Sequence, residues 1–274
     1  MNAGSALKIA KFTIDDELHF RSFYVLAGVS VLFVFMLRGC YKSTMVLNGQ
    51  QLDTLTIGWK ASLAAFHVIS AAGILFGILL GMRVFKRDSE NGMTVSILSK
   101  PVNRIDYIIG KIAGVWMLSY GLTFLLHLTV YIIMLVNTGG RIHMFFPASL
   151  ITGINILLVI LLVMLFSLIM PDVIAALSSF VIVVVSFLSD SLYAASKTEI
   201  IKSMLEQIQN SELTVALWRI LWPKIAASQY YASSLIDNGQ SYYPGPVNPV
   251  VNVVLFCTIV LGLIYWRFSL EEIR

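Results

Sequence analysis

Long apolar runs separated by short charged segments dominate the chain. A helix needs about 20 mostly apolar residues to cross roughly 30 Å of hydrocarbon. Six stretches approach that length: residues 22–37, 61–82, 107–136, 147–170, 172–188 and 250–266. The first is bracketed by Arg21 and Arg38, whose long side chains can reach outward to water. The fourth and fifth belong to one block from Pro147 to Leu188. As a single helix that block would be about 63 Å long, twice the bilayer, so it must fold back. Pro171-Asp172 is its break signal: proline stops one helix and Asp172 can cap the next. Ahead of the first run, Leu7, Ile9, Ala10, Ile14 and Leu18 alternate with charges over residues 6–20. This pattern predicts a short amphipathic helix on the membrane surface within residues 1–21; a frayed polar tail is the alternative. Asp15, Asp16 and Glu17 precede the first run, where a cleavable signal would carry positive charge.

Residues 189–249 form the one long stretch between predicted spans. Ile200, Ile201, Met204, Leu205 and Ile208 recur at helical spacing opposite Glu199, Lys202, Glu206 and Gln209. Leu213–Trp222 is apolar with two tryptophans, and a Tyr-rich run follows Pro223-Lys224. Trp and Tyr favour the headgroup level, so amphipathic helices at the outer interface, in part re-entrant, are expected. The rival is a seventh span through Leu213–Ile236, which would carry Arg219, Lys224 and a central Pro223 and would put the C-terminus outside. Tyr243 to Pro249 is a Pro-rich, rigid lead into the last run. No internal repeat is evident. The expected fold is all-α: one polytopic domain of six transmembrane helices, with an N-terminal interfacial helix and an extracytoplasmic helical segment.

Composition agrees with this class. Residues of the AVILMFWYC set make up 58% and charged residues only 12% of the 274, where soluble domains carry about 25% charged residues. Such sparse charge could not cover a soluble particle. The net charge of +4 gains meaning from its placement, because Lys and Arg concentrate in cytoplasmic loops. One face holds Lys8, Lys11, Arg21, Arg83, Lys86, Arg87, Lys100, Arg104, Lys111, Arg267 and Arg274. The opposite short loops hold Arg38, Lys42, Lys60 and Arg141. Both termini and residues 83–111 are therefore expected in the cytoplasm, and the basic balance reads as orientation rather than nucleic-acid binding.

Catalytic patterns are missing: there is no GxSxG, HExxH or GxxxxGK[ST]. His19, His67, His127 and His143 lie in separate segments without ligand spacing, and Cys40 and Cys257 are too far apart in the predicted topology to pair. His67 and His127 fall inside spans, where an ionisable group is a functional candidate by default; a neutral imidazole bonded to a neighbouring helix is the simpler reading. Asp172 could relay a proton, but its place in a predicted turn favours capping. Gly73, Gly77 and Gly81 repeat every fourth residue in the second run, as do Gly110 and Gly114 in the third. Glycine lets helix backbones approach closely in lipid, so both sets predict tight helix contacts, within one subunit or between two.

The segment between the second and third runs, residues 83–106, carries the other distinctive pattern. Its centre, Met93 to Leu98, is apolar although it should face the cytosol, and it is framed by charge. Ser89 and Gly92 are helix-start chemistry, and Pro101 ends whatever helix forms. A short apolar helix framed by charge suits protein docking; folding back onto its own bundle is the alternative.

Glu90-Asn91-Gly92, the run Leu98-Ser99-Lys100-Pro101-Val102-Asn103-Arg104, and Tyr107 with Gly110-Lys111 together resemble the cytoplasmic loop of bacterial type-2 ABC transporter permeases. The pattern is nearest to the group that includes the maturation permease of nitrous oxide reductase, although Asn91-Gly92-Met93 stands where Gly-Thr is usual. The resemblance implies a non-catalytic transmembrane subunit of an ATP-driven transporter, an exporter, in the bacterial cytoplasmic (inner) membrane. It implies two ATPase subunits that hold the ATP and Mg, with no cofactor in this chain, and a second permease copy or homologous permease. The ATPase-coupling residues would be Glu90, Gly92, Met93, Ile97, Leu98, Pro101, Arg104 and Lys111. Two readings from other classes stand beside it. One is a membrane anchor or assembly factor that holds a periplasmic protein through 189–249; the other is an ATPase-independent channel or transporter.

Overall fold

The structure, a computed structural model, describes residues 3–19, 21–37, 46–47, 50–51, 54–90, 103–139, 143–196, 222–237 and 247–270. Its helices are α1 (Ala3–Leu18), α2 (Arg21–Leu37), α3 (Thr54–Gly81), α4 (Val84–Glu90), α5 (Arg104–Thr138), α6 (Phe145–Ser167), α7 (Asp172–Ser196), α8 (Ile225–Ile236) and α9 (Pro249–Leu270). A two-residue antiparallel pair, β1 (Val46–Leu47) with β2 (Gln50–Gln51), lies between α2 and α3.

Five helices are long and apolar enough to cross a membrane: α3, α5, α6, α7 and α9. The expected first span is α2, which makes a sixth only when taken with α1 as one pair bent by 75°. Several elements outrun their expected limits. The second begins at Thr54 rather than 61, because Leu55, Ile57 and Trp59 extend its apolar run. The fifth reaches Ser196 rather than 188. With 35 residues, α5 is about 52 Å long, more than a bilayer core needs. It stops at Gly139, whose φ of 66° is left-handed and whose N–H bonds the Leu135 carbonyl at 2.9 Å. Glycine carries this helix-ending conformation without the Cβ penalty.

The fold-back at Pro171 is present, with one correction. Helix α6 already ends at Ser167, and residues 168–170 turn the chain. Asp172 is thus the first helical residue of α7 rather than its cap. Its carboxylate meets the positive end of that helix and lies 4.0 Å from Arg83 Nε.

Within residues 189–249, helix α8 is enclosed by α6, α7 and α9, with Ile225, Ala226, Ala227 and Ala232 fully buried, a packing that the expectation of a partly re-entrant segment allows. Its sequence explains how. Ala and Ser at six of its twelve positions make a slim helix that fits between its neighbours. A buried helix start needs acceptors for its free N–H groups, and its neighbours supply them. Ser186 Oγ accepts from Ile225 N and Ala226 N at 3.2 and 3.4 Å, Asp190 Oδ2 from Ala227 N at 2.7 Å, and Asn252 Oδ1 from Lys224 N at 2.9 Å. At the other end Asp237 pairs with Lys60 at 2.8 Å. Twelve residues span only about 18 Å, and the helix starts after Pro223-Lys224; residues 213–221 of the rival span lie outside the described residues. The expected amphipathic helices at 199–222 fall almost wholly outside the described residues. Asp190→Ala should strand the Ala227 N–H and cost about 1–3 kcal/mol, read as a lower melting temperature in detergent and faster proteolysis near Lys224.

Polar side chains tie α8 to the bundle. Gln229 Oε1 accepts from Thr152 at 3.2 Å and from Asn155 at 3.4 Å, and Ser228 donates to Asn155. The chain of contacts continues through Ser70 to His127, whose Nδ1 lies 2.9 Å from Ser149 Oγ and whose ring stacks on Phe66. His127 is thus an imidazole bonded to a neighbouring helix, the simpler of its two readings. Outside the bundle the surface is apolar. Val173, Ile174, Leu177 and Val181 on α7, and Val251, Leu255, Ile259 and Trp266 on α9, are exposed, as lipid or another membrane subunit would require.

Candidate functional site at the loop base

The two stems of the loop, α4 and the start of α5, meet in a buried group of charges. Asp88 on α4 pairs with Lys111 on α5 at 2.6 Å, and the two side chains are 2% and 0% exposed. Tyr107, one turn before Lys111, donates its O–H to the same Asp88 oxygen at 2.6 Å. Spacing of i and i+4 puts both on one face of α5. Lys111 Nζ lies 5.8 Å from the centre of the Phe12 ring, so α1 covers the pair.

Next along α4, Arg87 turns toward α1. Its Nη2 binds Asp16 and, at 2.7 Å, Glu17. Burial raises the Glu17 carboxyl above its ordinary 4.5, against the downward pull of Arg87 and Lys111; Asp16 adds to the rise. The folded chain therefore binds this proton more tightly than the unfolded chain. The stability it contributes is full below pH 4.5 and is lost as pH rises through the raised value. Glu17→Gln should flatten that part of a melting-temperature profile against pH.

The aromatic rings of Phe85, Tyr107 and Phe268 pack together with centroids 5.7–6.3 Å apart, which brings the end of α9 to the same place. Arg104 Nη1 donates to the Ser269 carbonyl at 3.1 Å, a cation on the negative end of α9. Asp106 is buried in the first turn of α5. Among the described residues no three His, Cys, Asp or Glu side chains gather as metal ligands.

The family model described as ABC-2 family transporter protein matches residues 7–273. The chain belongs to that family. No curated protein matches it. As an ABC-2 transporter protein with several long apolar helices, it is a multi-pass membrane protein and the permease component of an ABC transporter, a family whose setting implies an ABC ATPase partner.

Within this permease the expected coupling residues have divided fates. Lys111 is a member of the buried charge group, and Arg104 sits on the end of α9. Glu90 ends α4. Gly92, Met93, Ile97, Leu98 and Pro101 lie outside the described residues. Both glycine sets make contacts within the chain. A Cβ at Gly77 would lie 3.1 Å from Ile160 and one at Gly81 2.6 Å from Val163, both on α6; Gly73 faces Thr123 and Ile156. A Cβ at Gly110 or Gly114 would meet α1, 2.8 Å from the Ala6 and Ala10 carbonyl oxygens respectively. The expected interfacial helix is thus seated on the glycine groove of the third run. Asp16, Glu17, Arg87, Asp88 and Tyr107 had no place among the expected site residues. For Asp16, Glu17 and Arg87 the signal was complementary charge, acidic 15–17 ahead of the first run against basic 86–87 at the loop; Asp88 and Tyr107 had none.

Proposed function

We propose that this permease transmits ATP-driven closure of a partner ATPase into its bundle through residues 83–111, with that loop and both termini in the cytoplasm and six spans in the inner membrane. The observation that carries the reading is the loop base: the stems are joined to each other by the buried Asp88–Lys111 pair, to α1 by the half-buried Arg87–Glu17 pair, and to α9 by the Arg104–Ser269 bond and the tilted rings of Phe85, Tyr107 and Phe268. A loop that only joins two helices has no need of such an anchorage. The apolar centre, Met93 to Leu98, would enter a groove on the ATPase, with Pro101 fixing the exit. The exposed apolar faces of α7 and α9 suit a second permease copy as well as lipid. Export, and kinship with the nitrous-oxide-reductase maturation group, rest on the loop pattern at 90–111. The anchor reading loses part of its ground, since most of residues 225–236 are buried in the bundle and only Tyr230, Tyr231, Ser234 and Leu235 are half-buried. Arg104→Glu combined with Ile97→Asp should abolish copurification with the ATPase while membrane insertion persists. A retained complex would sink the docking assignment.

A further inference from the structure

Helix α1 has two faces, and only one of them packs on the bundle. Ile9, Ala10, Thr13 and Glu17 are buried, and Ile9 and Thr13 meet Gly110 and Gly114 of α5. The acids of its last turn are held as well, since Asp16 and Glu17 both reach Arg87. Its two bases are not. Lys8 and Lys11 are exposed, and among the described residues neither meets an acid, not even Asp15, one turn beyond Lys11. Spacing of i and i+3 sets the two lysines side by side. An apolar edge runs next to them: Leu7 is 68% exposed, and Ile14 and Leu18 follow it at i+7 and i+11, along one stripe of a helix.

The direction of α2 places this face. Phe23 sets its ring against Phe76 at 5.5 Å, and Val34 is buried in the same apolar cluster as Phe66, so α2 runs beside α3 in the opposite sense. Helix α1 is bent by 75° from α2 and therefore lies nearly flat across the ends of the spans. It does so at Gly110 and Gly114, which flank Lys111 and its partner Asp88. At that level the apolar α3 has given way to Arg83, Lys86 and Arg87, as a chain does on leaving hydrocarbon. A flat helix there can sink an apolar edge among acyl chains while its lysine stems reach back to the phosphates.

We infer that Lys8 and Lys11 form a binding site for the headgroup of an anionic phospholipid, with Leu7 and Ile14 against its acyl chains. Two unpaired cations answer a headgroup of net negative charge and gain little from a zwitterionic one. A soluble acidic partner would answer the lysines but not the apolar edge beside them. The site rests on the membrane disposition proposed above, which sets the N-terminus and the loop at one membrane face, and it adds a lipid of defined charge. Each basic residue held at an anionic surface strengthens binding by about fivefold. With salt screening, a preference of about tenfold for anionic over zwitterionic lipid is expected at this pair.

The test attaches bimane to Leu7→Cys in a Cys40→Ser, Cys257→Ser background and places the permease–ATPase complex in lipid nanodiscs. Quenching is titrated with doxyl-labelled phosphatidylglycerol and, separately, with doxyl-labelled phosphatidylcholine. The expected result is about a tenfold preference for phosphatidylglycerol. Lys8→Gln with Lys11→Gln should bring the two lipids level, and Lys8→Arg with Lys11→Arg should keep the preference. Equal quenching by the two lipids in the labelled parent, or an undiminished preference in the glutamine pair, would overturn the site. Should the glutamine pair fail to insert, salt decides on the parent: the preference should shrink as salt rises, and one indifferent to salt is not electrostatic and overturns the site. Inorganic phosphate added at constant ionic strength should change nothing; loss of the preference would give the lysines to soluble phosphate instead. Quenching that is present in the permease alone and lost in the complex would give the face to the ATPase. No quenching by either lipid, with or without the ATPase, would instead defeat the membrane disposition itself, and the inference with it.

Discussion

Replacing Lys111 by methionine alone is expected to destabilise the permease by about 3–5 kcal/mol, the range for breaking a buried pair by removing one partner. The partner left behind is Asp88, 1% exposed, with only the Tyr107 hydroxyl and no compensating cation at that oxygen. Neutralising both partners together, Asp88→Asn with Lys111→Met, should cost far less than the sum of the two single changes, because no lone charge remains and the Asn amide can still accept from Tyr107. A double-mutant cycle on denaturant unfolding in detergent measures the difference, and a coupling energy within about 0.5 kcal/mol of zero would mean the pair does not interact in the folded chain. The same asymmetry explains why such a pair suits a coupling element. It adds little net stability over an apolar pair, yet it penalises any arrangement in which α4 and α5 separate.

The spans were legible because lipid imposes a length and a polarity on each helix, and those constraints act locally along the chain. Residues 147–188 show this well: nothing but Pro171-Asp172 could break so long a run, and the turn lies there. The glycine sets were legible as close contacts but not as to partner, since spacing states that a groove exists and says nothing of what fills it. One groove takes α6, and the other takes α1, an element whose amphipathic pattern pointed to the lipid surface. Helix α8 was harder still. Its sequence, IAASQYYASSLI, has no strong apolar stripe, and its burial depends on Ser186, Asp190 and Asn252, acceptors that lie 28 to 40 positions away from the groups they cap. Lys111 gives the sharpest case. It counted among the basic residues that orient the chain, and it faces no solvent at all. Orientation depends on which side of the membrane a charge lies, while its role depends on long-range pairing that no local pattern records.

Filling the α5 groove is expected to release α1. In Gly110→Val with Gly114→Val, each new Cβ would press on a backbone carbonyl, of Ala6 and of Ala10, at 2.8 Å. Backbone cannot rotate aside as a side chain can, so the whole helix must lift. Overpacking of this kind costs about 1–3 kcal/mol at each site. Gly28→Ala, where no atom lies within 4 Å of the added carbon, should be nearly silent and serves as the control. The readout is maleimide labelling of Thr13→Cys, which is fully buried against α5 in the folded chain. Labelling should be slow in the parent and in Gly28→Ala, and fast in the double valine variant. Once α1 lifts, Arg87 loses Asp16 and Glu17, and the Asp88–Lys111 pair loses the Phe12 cover that keeps it dry. Screening by water then weakens the pair, so the double valine variant and Lys111→Met should be non-additive in stability. Full additivity, or protection of Thr13→Cys from label, would mean that α1 holds its place without the groove.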